Sequence, residues 1–162
     1  MIAWIRKRIT PVVLTALVAF AMVSCCSRHA EEPIALPETN TKPEISLEIV
    51  DMQKGPWGKK TITIRVSNNT ENSVFYGRTY RIMRLDGNAW HEAKARNVSI
   101  PLDAFPVEPG ESREQTFVLS SRYFLNGRDT YFFVLRISEQ LSPGNYEEYQ
   151  YGVLLNPEAW KK

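Results

Sequence analysis

Lys60-Thr61-Ile62-Thr63-Ile64-Arg65-Val66-Ser67-Asn68 alternates apolar with polar residues through its centre. Successive side chains of an extended backbone point to opposite faces, so Ile62, Ile64 and Val66 share one face and Thr63 and Arg65 the other. A period of two built on β-branched residues predicts a half-buried strand. Upstream, Ile45, Leu47 and Ile49 alternate with Ser46 and Glu48, and Gly55-Pro56-Trp57-Gly58 supplies a turn between the two strands. Downstream, Asn68-Asn69-Thr70 closes the second strand. An aromatic run from Val74 to Leu85 then ends at Asp86-Gly87, a hairpin signal leading to Trp90. Val107 to Gly110 predicts a turn before a strand through Phe117 and Leu119, and a short helical turn is expected over Ser121 to Leu125. Tyr131 to Ile137 is apolar at nearly every position and predicts a central strand, with Tyr149 to Leu155 as the last.

Seven to eight short strands, with turn signals about every ten residues and no long amphipathic helix, predict an all-β fold, an immunoglobulin-like antiparallel sandwich over residues 44–157. Residues 158–162 are expected to form a C-terminal tail. The chain of 162 residues allows one such domain. Its 43% hydrophobic and 23% charged composition is that of a globular protein.

The residues before the domain follow a different grammar. Arg6, Lys7 and Arg8 precede an apolar stretch from Ile9 to Val23, as in a secretory signal. Fifteen helical residues rise about 22 Å, short of the roughly 30 Å hydrocarbon core, which favours a cleaved signal over a spanning helix. Met22-Val23-Ser24-Cys25 resembles the lipobox of bacterial lipoproteins, with Met22 where that pattern usually has Leu. The resemblance implies a signal peptide over residues 1–24 and a diacylglycerol on Cys25, with Cys26 the alternative acceptor. Two or three acyl chains, at about 0.8 kcal/mol per buried methylene, would anchor the chain firmly. Ser27 to Pro43 is polar and irregular and could stretch to about 56 Å at most, so residues 25–43 are expected to be the lipidated cysteine and a flexible tether.

The order Ile62-x-Ile64-x-Val66-x-Asn68-Asn69, Tyr76-Gly77-x-x-Tyr80-x-Ile82, Asp86-Gly87 with Trp90, and Pro109-Gly110-Glu111 resembles the bacterial Ig-like domains of cell-surface proteins and lipoproteins. It covers roughly Ile45 to Ile137. The sequence departs from such domains at Asn126-Gly127-Arg128-Asp129, where a Pro-Gly step often stands. That family implies a fold and a location and brings no catalytic residues. A weaker resemblance is to the bacterial intracellular proteinase inhibitors, small sandwiches with a similar order of motifs.

The residue inventory weighs against several chemistries. Without Arg6, Lys7 and Arg8, 17 basic residues face 18 acidic ones, a balance of −1 with no basic cluster, which argues against nucleic-acid binding. The only cysteines are Cys25 and Cys26, so neither a sandwich disulfide nor a cysteine-rich zinc site is available. His29 lies in the tether and His91 stands alone after Trp90; no metal site and no cofactor are expected. Glu111 and Glu114, and Glu147 and Glu148, sit beside Pro-Gly turns and suit solvated turn charge better than facing glycosidase carboxylates. Ser120-Ser121 lacks a nucleophile-elbow frame.

The aromatic residues remain. Tyr146, Tyr149 and Tyr151 near the C-terminus are the candidate ligand contacts, with Phe132, between Tyr131 and Phe133, also least compatible with the core. The expected protein is a non-enzymatic, lipid-anchored module of the cell envelope, on its periplasmic or surface side, binding a protein or glycan partner. The alternative is a proteinase inhibitor presenting a loop between Ala93 and Phe105. Replacing Cys25 by Ala is expected to abolish metabolic labelling with an alkyne fatty acid. Labelling that persists until Cys26 is also removed would reassign the acceptor.

Overall fold

The computed structural model describes residues 35–160. Cys25, Cys26 and His29, and with them the expected signal peptide and lipidation site, lie outside the described residues.

Among the described residues eight strands form two antiparallel sheets. The first sheet has the order β1 (Ile45–Lys54), β2 (Lys60–Asn68), β6 (Ser112–Val118). The second has the order β4 (Ala89–Glu92), β3 (Val74–Asp86), β7 (Tyr131–Ser142), β8 (Asn145–Leu155), with β5 (Ala104–Val107) pairing the first part of β3. The helical turn α1 spans Leu119–Arg122, earlier than the expected Ser121 to Leu125. Leu119, fully buried, is the residue that sets its position. β5 was not expected: Phe105 faces Tyr76 across the β3 ladder, so the loop after β4 closes at Asp103.

The alternation in β2 is realised. Ile62, Ile64 and Val66 are wholly buried between the sheets, and each such side chain contributes about 1.5–3 kcal/mol relative to exposure. On the outer face Thr63 and Thr116 bring their hydroxyls to 2.9 Å, and Arg65 bridges Glu48 of β1 and Glu114 of β6, both at 2.6 Å. The centre of the core is aromatic: the Tyr80 ring stacks on Phe133 with centroids 5.2 Å apart and meets Phe117 edge-on at 5.3 Å. The Tyr123 hydroxyl donates to the Tyr80 carbonyl at 3.1 Å.

Asn68 ties one end of the sandwich. Its amide donates to the carbonyls of Asn72 and Val107 at 2.8 and 2.9 Å, while its side-chain oxygen accepts from the Thr70 amide and hydroxyl at 3.0 and 2.8 Å. The Gly110 amide donates to the Asn68 carbonyl at 2.7 Å. Gly110 has φ +77, so the Pro109-Gly110-Glu111 turn takes a left-handed backbone that favours glycine.

Two expected boundaries are corrected. The segment assigned to a flexible tether up to Pro43 is docked: the Trp90 indole donates to the Ala35 carbonyl at 2.8 Å, and the Gln150 amide donates to the Asn40 carbonyl at 2.7 Å. Trp90 projects from the outer face of the second sheet near β4, and Gln150 lies on β8, so residues 35–40 cross that face as a strap. A bare edge strand exposes unpaired backbone groups, and Asn40 satisfies one of them on β8. The expected tail is the second correction, because Trp160 is 2% exposed, in a 3-10 turn, with the Lys60 ammonium 5.4 Å from its ring. Its apolar area gains more from covering the core than from solvent.

The strap ends in a buried ion pair. Glu139, on the inner face of β7, is 0% exposed; it accepts from the Lys42 ammonium at 2.8 and 3.0 Å, from the Asn72 amide at 2.9 Å and from the Tyr149 hydroxyl at 3.3 Å. Burial by itself raises the Glu139 carboxyl, but the hydrogen bonds from Asn72 and Lys42 and the Lys42 charge outweigh it and hold the group below its ordinary value of 4.5. The Tyr151 hydroxyl clasps the Lys42 backbone, accepting from its amide at 2.8 Å and donating to its carbonyl at 2.9 Å.

Three outcomes follow. In chemical denaturation Ile64→Ala is expected to cost about 2–5 kcal/mol and Thr63→Ala about 0.2–1 kcal/mol; equal small losses would contradict the burial of this face. Lys42→Ala, which strips a buried carboxylate of its cation, is expected to cost about 2–3 kcal/mol, below the usual range for buried pairs because Lys42 keeps some solvent contact. Because Glu139 is depressed in the folded state, its ionised form stabilises the fold above the ordinary carboxylate value, and that contribution fades as pH falls through the lower folded value. Acid titration of stability should therefore be shallower in Glu139→Gln than in the native chain.

Candidate functional site

The outer face of the second sheet carries an open groove of about 360 Å³. It exists because β3 loses its register with β7 between Tyr76 and Tyr80. Three residues, Gly77, Arg78 and Thr79, bulge out of the ladder, and a bulge re-aims the neighbouring side chains. Gly77 is required there, since a Cβ would stand 2.8 Å from the Asp103 carbonyl oxygen.

The groove's floor is Val134, and its rim combines Phe75, Thr79, Arg81, Arg136 and Gln150. Arg81 donates to the Gln150 side-chain oxygen at 2.7 Å, which fixes both across the sheet. Arg136 lies 3.5 Å from Glu148, both largely exposed, a pair that a ligand can open at little cost. Tyr146 stands beside the groove, packed edge-on against Phe75 at 6.2 Å and 51% exposed. Rigid aromatic faces next to forked donors and amide groups suit a polar ligand with flat apolar patches.

Of the three tyrosines expected to contact a ligand, Tyr146 alone faces outward. Tyr149 and Tyr151 are 6% and 5% exposed and belong to the inner face of β8. The expectation is corrected for these two: odd positions on β8 face the core, and their hydroxyls are spent on Glu139 and Lys42. Burial, then hydrogen bonding and repulsion from Glu147 and Glu139, pushes Tyr149 well above the ordinary phenol value, so it stays a donor. Phe132 is buried too, although on the outer face, where it fills the space left by Gly152 and meets the Trp90 ring at 5.8 Å.

Arg81, Arg136 and Gln150 were missed from sequence. Their signal was present as single polar residues alternating with core positions, but Phe132 and Val134 pack on the outer face as well and hide the period on β7.

Among the described residues no three His, Cys, Asp or Glu side chains gather to hold a metal, and no helix is long and apolar enough to cross a membrane. His91, Glu111, Glu114, Glu147 and Glu148 are exposed. The Ser120 hydroxyl accepts from the Lys60 backbone amide at 3.0 Å, a structural bond. The loop from Ala93 to Asp103 is mostly exposed, fastened by a bridge between Ala95 and Tyr123 and by an Arg78–Asp103 ion pair at 3.0 Å.

No curated protein matches the chain. A target of the Northeast Structural Genomics Consortium solved by X-ray crystallography aligns with a TM-score of 0.37 and 15% identity, over 69% of this chain and 83% of that one. The profile of the bacterial Ig-like domain matches residues 40–128, from the strap residue that caps β8 to the loop before β7. That match spans more than half of the sequence, and the chain belongs to the bacterial Ig-like domain family.

Proposed function

We propose that this protein is a lipid-anchored module of the bacterial cell envelope that binds a polar partner, an envelope glycan by preference over a protein, through the groove on its second sheet. The observation that carries the reading is the juxtaposition of the Phe75–Tyr146 aromatic pair with Arg81, Gln150 and Arg136 around one indentation. Aromatic faces stack on sugar rings, and the forked donors of arginine match hydroxyl and carboxylate oxygens. Family membership supports an accessory rather than a catalytic role, since Ig-like domains are generally non-catalytic.

The anchor is the acylated Cys25. With Ala35 docked on Trp90, ten residue steps separate anchor and domain, a span of about 35 Å at most, shorter than a tether running to Pro43 would give. The domain is thus kept near the bilayer surface, on its periplasmic or outer side.

The proteinase-inhibitor reading is favoured by one observation, the extended loop bearing Leu102 with its side chain fully exposed. Progress curves of envelope proteases that stay unslowed by micromolar protein would remove it.

Isothermal titration with fractionated envelope polysaccharides tests the main reading. The native chain is expected to bind one fraction, and Tyr146→Ala and Arg81→Ala each to weaken that binding about tenfold, equivalent to roughly 1.4 kcal/mol. Binding that is indifferent to both substitutions, or absent from every fraction, would overturn the groove as a glycan site.

A further inference from the structure

The hairpin joining β1 to β2 displays Lys54-Gly55-Pro56-Trp57-Gly58-Lys59-Lys60 at one end of the sandwich. Trp57 has its whole side chain in solvent, at 104% relative exposure, and packs on nothing. Its backbone is left-handed, φ 60 and ψ 23, followed by Gly58 at φ 72, and the Lys59 amide donates to the Pro56 carbonyl at 3.2 Å. These are the angles and the hydrogen bond of a type I′ turn, whose first central position favours Asn and disfavours a bulky side chain. The fold therefore gains nothing from a tryptophan here and would be served better by asparagine.

The flanking charges share one sign. Lys54 and Lys59 are exposed and form no ion pair among the described residues, while Lys60 turns inward to the Leu125 carbonyl and the Trp160 ring. The hairpin lies at the end where β3, β6 and β8 finish and β4 begins. Trp90, whose indole donates to the Ala35 carbonyl, is on that same β4, so the first described residue sits toward this end.

Resting on the anchor proposed above, we infer that the Trp57 hairpin is a second membrane contact, which seats in the headgroup region of an anionic bilayer. An indole has the amphipathic shape that the bilayer interface takes up. Each lysine near an anionic surface favours contact by roughly fivefold. One tryptophan and two lysines bind a bilayer weakly by themselves, but a lipid anchor at close reach raises the effective concentration. The contact would fix which way the domain faces and hold the groove at a set angle to the membrane.

The test uses the chain from Cys25 onward, which contains every described residue, with Cys26→Ser, coupled through the Cys25 thiol to a maleimide lipid in vesicles. Coupling makes the result independent of whether cells acylate Cys25, so a failed anchor and a failed hairpin contact are told apart. Nitroxide-labelled lipids are expected to quench part of the tryptophan emission in phosphatidylcholine vesicles containing phosphatidylglycerol. That part should vanish in Trp57→Phe and fall several-fold in the Lys54→Gln, Lys59→Gln pair or without phosphatidylglycerol. Trp57→Asn should fold with at least native stability, which separates loss of contact from loss of structure. Quenching that is equal in the native chain and Trp57→Phe, or indifferent to phosphatidylglycerol, would overturn the proposal. So would Trp57 emission that responds to envelope polysaccharide and not to the bilayer.

Discussion

A carboxylate with no solvent access fastens the strap and the β2–β3 crossing onto the second sheet. Glu139 occupies an inward position on β7, two residues beyond Ile137, where the alternation would place another apolar side chain. An ion there is costly to desolvate and persists only if its oxygens are fully bonded. The partners come from three separate places: Lys42 from the strap, Asn72 from the crossing between β2 and β3, and Tyr149 from β8. Many immunoglobulin domains join their sheets by a disulfide; the described residues contain no cysteine, and the Glu139 node ties the strap and the β2–β3 crossing to β7.

What the node fastens decides which surfaces remain. The strap is fixed to the second sheet at Trp90 and at Gln150, where it pairs one backbone group of the β8 edge. Sheet edges left open invite other strands, and the strap occupies one edge amide of β8. The groove lies beyond it, over the β3 bulge. A ligand at the groove would touch Gln150, whose backbone amide holds the strap and whose side chain holds Arg81. The proposed ligand contact and the strap thus meet at one residue.

The sheets were legible because their inner faces keep strict alternation: β2 shows it in Ile62, Ile64 and Val66, and β3 in Tyr80 and Ile82. The Asn68-Asn69-Thr70 and Pro109-Gly110-Glu111 steps were legible as turns, though not as partners of each other, since their bonds join segments about forty residues apart. β5 escaped because Pro106 interrupts a strand of only four residues, and Pro cannot donate to a ladder. The strap escaped for a related reason. Its bonds use backbone carbonyls of Ala35 and Asn40, which carry no side-chain signature, and its lysine resembles any solvated lysine until Glu139 is found beneath it. Tyr149 and Tyr151 were placed outside from their density in sequence, yet phase along the strand, not density, sets the face.

Amide hydrogen exchange resolves the central claim, that the chain from Ala35 to Pro43 is part of the fold and is locked by Glu139. Gln150 and Lys42 are the reporters, because their amides donate to the Asn40 carbonyl and the Tyr151 hydroxyl, bonds that only a docked strap can make. The account predicts slow exchange at both in the native chain. It predicts fast exchange at both in Glu139→Ala, while the amides of β7 that pair with β3 stay protected. Fast exchange at Gln150 and Lys42 in the native protein, or protection unchanged by Glu139→Ala, would contradict it.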